Sequence, residues 1–167
     1  MKNYIPLLIF VLSLTACAQK DIVTKNFTEE ALSEAFFNLD NSEVTLKTIL
    51  KQNAGKLILI DVWASWCRDC VIGMPKVKTL QMEHPEMLVV FLSLDTDIDS
   101  WKNGIENFGI QKGEHFLVSK GWKGDFATSI NLDWIPRYMV VNPKGEITLY
   151  RAVKADDPKL IDTINSK

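Results

Sequence analysis

The sequence has little cysteine and histidine, and its basic residues are not in excess. Three cysteines and two histidines occur among 167 residues, together with 21 acidic and 19 basic residues. Residues 1–16 hold only one of the basic residues, so the rest of the chain is acidic and we expect no nucleic-acid binding. Internal repeats and low-complexity tracts are absent, which excludes a repeat protein. A chain of this length instead predicts one domain with its own core.

An apolar run near the amino terminus predicts export. Residues 1–3 form a short basic region, and residues 4–14 are almost continuously apolar. This run is shorter than a membrane-spanning helix and has the length of a signal-peptide core. The segment Leu14-Thr15-Ala16-Cys17 follows and resembles a bacterial lipobox. That resemblance implies cleavage before Cys17 and acylation of its thiol and new amino terminus. An ordinary signal peptide followed by a chance cysteine is the alternative.

These patterns divide the chain into a signal peptide at residues 1–16, a lipid-attached tether at 17–33 and a folded domain at 34–167. We expect the protein on the periplasmic side of a membrane, which it contacts through the lipid anchor. Ala18, rather than an aspartate, follows the cysteine. By the sorting habit of lipoproteins, that residue favours the outer membrane.

The two other cysteines, Cys67 and Cys70, lie at a predicted junction between a strand and a helix. The apolar run from Lys56 to Trp63 precedes them, and a helical pattern follows. A helix N-terminus presents unpaired N–H groups and the positive end of the helix dipole, which favour a thiolate. A disulfide at this spacing closes a very small loop and constrains the unfolded chain little. The pair is therefore predicted to be a redox site and not a structural cross-link.

The rest of the sequence predicts an α/β order of elements. The predicted strands are 35–39 and 43–46 in an N-terminal hairpin, then 57–62, 87–94, 116–118, 137–141 and 146–150. The predicted helices are a short one capped by Thr45, one that starts at Cys67, and those at 100–108, 124–130 and 156–166. This order predicts a central mixed sheet flanked by helices on both faces, with the hairpin as an N-terminal extension.

Over about residues 34–166 the chain resembles thioredoxin-fold proteins of the TlpA/ResA type, which are exported thiol-disulfide oxidoreductases. The matching segments are Gly55-Lys56, Asp61-Val62-Trp63-Ala64-Ser65-Trp66-Cys67-Arg68-Asp69-Cys70, Pro75, Trp134-Ile135-Pro136 and Asn142-Pro143-Lys144-Gly145-Glu146. The resemblance implies a thioredoxin-like fold that needs no cofactor and no metal. It also implies that the substrates are protein thiols and disulfides. If this protein acts as a reductant, the resemblance implies a membrane thiol protein as its electron donor.

The resemblance assigns roles to five residues around the motif. Cys67 is implied as the attacking thiol and Cys70 as the resolving thiol, because the helix start is exposed and the next turn is shielded. The segment Ile135-Pro136 is implied as a cis-proline loop beside them, whose backbone pairs with a substrate segment. Trp66 and Ile135 then form an apolar rim for that segment.

Asp61 is the candidate base for the Cys70 proton. It ends an apolar strand where thioredoxins carry a buried acid, and burial raises the pKa of a carboxyl group. An exposed aspartate at the end of a strand is the alternative. Thioredoxins pair this acid with a lysine, but Phe91 stands at that position here, so we expect an unpaired carboxyl.

Two further departures from the family concern the helix that carries the cysteines. Gly73 stands where the family often has a glutamate, and Asp61 is expected to do that work from the other side. Arg68-Asp69 replaces the commoner dipeptides that end in proline. Arg68 stabilises the Cys67 thiolate and Asp69 opposes it, so the sequence leaves the reduction potential open.

Three other functions share part of this pattern. A zinc site would join Cys67 and Cys70 to His84 and His115, but the sequence lacks a second close-spaced ligand pair. A peroxiredoxin-like peroxidase would carry threonine where Ala64 stands. A non-catalytic binding lipoprotein on the same scaffold predicts degenerate catalytic positions, whereas both cysteines and the proline are present.

Overall fold

A computed structural model of the chain describes residues 25–166. The predicted signal peptide at 1–16, the lipidation residue Cys17 and the first part of the predicted tether lie outside the described residues. Within residues 25–166, no helix is long and apolar enough to cross a membrane.

A mixed sheet of seven strands forms the centre of the described part. The strands are β1 (Ala35–Phe37), β2 (Glu43–Thr45), β3 (Ile58–Trp63), β4 (Leu88–Ser93), β5 (Glu114–Val118), β6 (Arg137–Val141) and β7 (Ile147–Ala152). Their order across the sheet is β2-β1-β5-β4-β3-β6-β7. Strands β3, β4 and β5 run parallel, and the other pairings are antiparallel. The predicted mixed sheet and its N-terminal hairpin extension are thus confirmed.

The helices connect these strands in the predicted order. They are α1 (Glu29–Ser33), α2 (Leu46–Gln52), α3 (Arg68–Glu83), α4 (Ile98–Asn107), α5 (Asp125–Ser129) and α6 (Pro158–Asn165), with a 3₁₀ turn at Gly121–Lys123. Every residue of β3 and of β6 is buried. Unbroken burial of this kind indicates a strand that is covered on both faces, so these two strands form the middle of the core.

Residues 25–33 pack against the domain, although the sequence placed them in a tether. The ring of Phe27 lies 6.2 Å from that of Phe126, and the N–H of Ile147 donates to the carbonyl oxygen of Lys25 at 2.8 Å. The polar residues around Phe27 hid this packing, because an apolar stripe on one short helical turn has too few members to show a period. The folded part of the chain therefore includes residues 25–33.

We predict that Phe27→Ala lowers the free energy of unfolding by about 3 kcal/mol or more, because it removes a buried aromatic side chain from the domain. Leu39→Ala is the matched control, since Leu39 is 47% exposed and its loss is expected to cost less than about 0.5 kcal/mol. Urea unfolding of the mature chain measures both. Equal effects of the two substitutions would show that Phe27 belongs to the tether and does not stabilise the domain.

Candidate active site

The first turn of α3 presents the cysteine pair. Cys67 is the N-cap residue, with an extended backbone, and its Sγ accepts a hydrogen bond from the N–H of Cys70 at 3.1 Å. A cap residue accepts from the N–H groups that the helix leaves unpaired. In Cys67 that acceptor is the sulfur itself, so the helix N-terminus favours negative charge on this atom.

The two sulfurs form a disulfide and differ in access to solvent. The S–S distance is 2.12 Å. Cys67 keeps 7% of its surface exposed, whereas Cys70 is fully buried. The exposure of Cys67 is smaller than the sequence suggested, because the neighbouring side chains form a rim around it. Cys67 also lines a surface cleft, and Cys70 is not among the residues of that cleft, so a partner thiol would approach the bond from the Cys67 side.

The predicted proline loop lies beside Cys67. The peptide bond between Ile135 and Pro136 is cis, as expected, and the carbonyl oxygen of Ile135 lies 3.7 Å from the Sγ of Cys67. The structure thus brings the cysteine pair and the proline loop together, although they are far apart in sequence.

Arg137 holds the segment before the proline loop through hydrogen bonds from the core. Its buried guanidinium donates to the carbonyl oxygen of Ile130 at 2.9 Å and to Oδ1 of Asp133 at 2.6 Å. Asp133 also accepts from Arg151 at 2.7 Å, and the two arginines lower the pKa of its carboxyl group, Arg151 more strongly. Sequence analysis missed Arg137, although a charged residue that opens an apolar strand directly after Pro136 was a usable signal.

Asp95 fastens the loop that leads into α3. Its buried carboxylate accepts from the N–H of Ser65 at 3.0 Å, from the hydroxyl of Ser65 at 2.7 Å and from the hydroxyl of Ser93 at 2.7 Å. The loop between β3 and Cys67 is therefore bonded to the end of β4. This role was also missed, because Ser65 follows β3 and Asp95 follows β4, 30 residues further along the chain.

Three exposed tryptophans surround the reactive sulfur. Trp66 is 61% exposed, Trp134 54% and Trp122 41%. Together with Cys67 and Ile135 they line a cleft of about 440 Å³. Large exposed aromatic side chains grouped in this way mark a contact surface. Sequence analysis assigned a role to Trp66 and Ile135. It placed Trp134 in a matching segment without a role, and it assigned none to Trp122, which lies in the 3₁₀ turn.

Asp61 is buried and has no hydrogen-bond partner within the described part of the protein. Both carboxylate oxygens are unpartnered, and burial raises the pKa of the group to about 8. Its register partners in the sheet are Phe91 on β4 and Tyr138 on β6. The expectation of a buried carboxyl group with Phe91 at its side is therefore confirmed, while the role of Asp61 in catalysis stays a prediction.

Gly73 makes room for Tyr138. A Cβ atom at position 73 would lie 2.6 Å from the hydroxyl oxygen of Tyr138. Glycine inside a helix costs about 1 kcal/mol relative to alanine, so this residue lowers helix stability and leaves space for a buried hydroxyl. The sequence marked Gly73 as a departure from the family but did not show what fills the space.

The histidines do not join the cysteines. His115 is buried, stacks on Phe91 at 4.7 Å between ring centroids and bonds the carbonyl oxygen of Ile110. Burial lowers its pKa to about 4. His84 is the C-cap residue of α3. Between residues 25 and 166, no group of three or more histidine, cysteine, aspartate or glutamate side chains is arranged to hold a metal ion.

Comparisons with known proteins agree with this geometry. A family model described as thioredoxin-like matches residues 55–147. The thioredoxin-like protein YneN of Bacillus subtilis is 27% identical over 104 residues, which are 60% of this chain and 59% of that protein. The thiol-disulfide oxidoreductase ResA of Bacillus thuringiensis is 26% identical over 125 residues, 72% of this chain and 71% of its own length.

A similar fold occurs in a solved structure, the thioredoxin domain of a thiol-disulfide oxidoreductase from Bacteroides vulgatus. It covers 83% of this chain and 95% of its own, with a TM-score of 0.67 and 20% identity. The sheet order and the cysteine pair at the start of α3 define a thioredoxin-like protein with a dithiol-disulfide site. The chain belongs to the thioredoxin-like family, in which its relatives include thiol-disulfide oxidoreductases.

We predict that Asp61→Asn stabilises the fold at neutral pH. Because burial raises the pKa of Asp61 from 3.8 to about 8, the folded protein holds a proton in that pH range that the unfolded chain releases. The free energy of unfolding therefore falls as the pH rises from about 4 to about 8. Asparagine removes this dependence and is expected to add roughly 2–4 kcal/mol at pH 7.

Urea unfolding across that pH range measures the effect. Asp162→Asn is the matched control, because Asp162 is an exposed carboxylate on α6 and should leave the pH dependence unchanged. The same pH dependence in Asp61→Asn and in the unsubstituted protein would show that the Asp61 carboxyl group ionises freely in the folded state.

Proposed function

We propose that the protein is an exported thiol-disulfide oxidoreductase that reduces disulfides in protein substrates with the Cys67–Cys70 pair. The observation that carries this proposal is the unequal access of the two cysteines, since Cys67 keeps some exposed surface and lines the cleft whereas Cys70 has none. A pair of this kind suits a two-step exchange, in which one sulfur meets the substrate and the other completes the reaction.

The reductive cycle starts from the dithiol form. The Cys67 thiolate attacks one sulfur of a substrate disulfide, forms a mixed disulfide and releases the other substrate sulfur as a thiolate. The Cys70 thiolate then attacks the Sγ of Cys67 and releases the second substrate sulfur. The substrate gains two electrons and two protons, and the protein is left as the disulfide. A membrane thiol protein then returns it to the dithiol form.

Asp61 is proposed as the base for the second step. A carboxyl group with a pKa of about 8 is well matched to a thiol with a pKa of about 8.5, so a proton moves from Cys70 to the carboxylate at little cost. The absence of a bonded partner among the described residues leaves both carboxylate oxygens able to accept it.

The substrate is proposed to bind as an extended segment across the proline loop. The backbone of Ile135 pairs with that segment, and Pro136 holds the loop in position beside Cys67. Trp66 provides an apolar side to the groove, and the structure supports adding Trp122 and Trp134 to it. The cleft therefore suits a cysteine flanked by apolar or aromatic side chains.

We predict that the purified protein reduces insulin disulfides. Cys67→Ser should abolish the reaction, because the remaining thiol, Cys70, is fully buried. Cys70→Ser should instead accumulate mixed disulfides through Cys67, since the resolving thiol is missing. Mass spectrometry of adducts from an exported fraction measures this trapping. If the wild-type protein reduces insulin no faster than Cys67→Ser does, the proposed oxidoreductase activity is refuted. Consumption of peroxide by such a protein would instead favour a thiol peroxidase.

Export and anchoring are proposed from the sequence pattern at residues 1–17. The signal peptide at 1–16 is removed, the Cys17 thiol and amino group carry lipid, and the segment that follows tethers the domain to the membrane, with the outer membrane favoured by Ala18. Two lipid signals of this kind give stable anchoring.

We predict that Cys17→Ser releases the protein into the soluble exported fraction, because no acyl chain is attached. Membrane fractionation, with Cys67→Ser as a control that keeps the lipid, measures the distribution. Equal membrane content in both variants would contradict lipidation at Cys17.

A further inference from the structure

Three buried oxygens without protein partners in the described chain belong to two residues that face each other across β3 and β6. They are the two carboxylate oxygens of Asp61 and the hydroxyl oxygen of Tyr138. The two residues stand directly opposite each other in the antiparallel pair of β3 and β6, so their side chains project from the same face of the sheet. Buried polar groups in native proteins are nearly always bonded, to protein or to water. A shared partner is therefore expected between these groups.

The face that carries Asp61 and Tyr138 is the one covered by α3. The hydroxyl oxygen of Tyr138 occupies the space where a side chain at position 73 would begin. Gly73 and Cys70 are three residues apart on α3, hence one turn apart on the same side of the helix. The Asp61–Tyr138 pair therefore lies under the turn that carries the resolving cysteine.

A solvent-connected cavity reaches this point from the side of α3. Its volume is about 400 Å³, and Gly73 and Tyr138 form part of its wall, with Pro136 and Trp134 at the end nearest the proline loop. Tyr138 thus joins this cavity to the strand position opposite Asp61, and unpartnered buried polar groups beside an opening to solvent are where ordered water molecules bind.

We propose that Tyr138 is a positioning residue that links the Asp61 carboxyl group, through one water molecule, to the cavity beside Gly73 and so provides the path by which Asp61 exchanges its proton with solvent. This inference rests on the proposed function, in which Asp61 receives the Cys70 proton. Gly73 serves the path because any larger residue would displace the hydroxyl group.

The proton moves along this path without any electron transfer. Protonated Asp61 donates to the water, the water donates to the hydroxyl oxygen of Tyr138, and the hydroxyl group passes its own proton to solvent in the cavity. One proton leaves Asp61 and one enters solvent, and Tyr138 ends unchanged. The Tyr138 pKa is raised by burial and by Asp61, so the hydroxyl group stays neutral throughout.

Of the two register partners of Asp61 in the sheet, only Tyr138 on β6 carries a polar group. On the other side, β4 presents Phe91, with the buried His115 of β5 stacked behind it. From α3 comes Cys70, which is in the disulfide in this structure. The charged residues that line the cavity are Asp69, Lys76, Lys154 and Asp156.

The decisive experiment titrates Asp61 in the oxidised mature chain, followed by NMR of ¹³C-labelled aspartate carboxyl groups, with Asp61→Asn assigning the signal. A water-mediated hydrogen bond from Tyr138 favours the carboxylate. Tyr138→Phe should therefore move the Asp61 midpoint upward by about half a pH unit or more. Tyr150→Phe is the matched control, since it removes a hydroxyl group that bonds Ser129 elsewhere, and its midpoint should equal that of the wild type.

Gly73→Ala provides a second, independent arm of the experiment, which is measured by the same titration of Asp61. The added methyl group displaces the Tyr138 hydroxyl group, so Gly73→Ala alone should shift the midpoint upward as Tyr138→Phe does. In the Tyr138→Phe background, where that oxygen is gone, the same substitution should add no further shift. Additive shifts, or wild-type midpoints in both single variants, would overturn the proposal, and the glycine arm decides the question if Tyr138→Phe does not fold.

Kinetics connect the titration to the reaction. The pH profile of mixed-disulfide resolution should shift upward in Tyr138→Phe to the same extent as the Asp61 midpoint, whereas a merely structural role would lower the melting temperature and leave the profile in place. An inactive wild-type protein would refute the proposed function. The titration is done on the oxidised protein without substrate, so it tests the link between Tyr138 and Asp61 in either case.

Discussion

The junction between β3 and α3 is the constraint on which the rest of the site depends. All six residues of β3 are buried, so its register in the sheet is strongly specified. The point at which the chain leaves the strand is therefore fixed as well. That end delivers Cys67 to the cap of α3, where the sulfur accepts the N–H of Cys70. The loops around it are then fixed by buried charge, through Asp95 on one side and Arg137 on the other.

Two features of this junction lower stability, and both lie beneath the cysteines. The Asp61 carboxyl group is buried without a bonded partner in the described chain, and a glycine interrupts the helix above it. Burial without a cation raises the pKa of a carboxyl group, so the protonated form persists to a higher pH than it does in water. Local costs of this kind concentrate at functional sites, where the surrounding fold holds them in place. Here the fully buried strands β3 and β6 provide that support.

Sequence reasoning was accurate wherever local pattern and tertiary environment agree. The unbroken apolar run of β3, the helix after Cys67 and the hairpin turn at 142–145 were each predictable, because a period or a turn signal is a property of a few consecutive residues. It failed for residues 25–33, whose contacts are made with distant elements. It also missed Arg137, since a basic side chain in a strand shows its buried role only when the loop that it bonds is known.

The sequence by itself determined the order of the elements, the cysteine pair at a helix start, the proline loop and the buried acid with Phe91 in place of a lysine. The order of the elements and the cysteine pair follow from apolar periodicity and from a motif of neighbouring residues, whereas the proline loop and the position of Phe91 follow from the resemblance to thioredoxin-fold proteins. Only the tertiary structure decided how little of Cys67 is exposed, which tryptophans line the cleft beside it and that the hydroxyl group of Tyr138 fills the space over Gly73. Those facts depend on how separate strands and loops pack, because burial and access are set by neighbours that are distant in the chain.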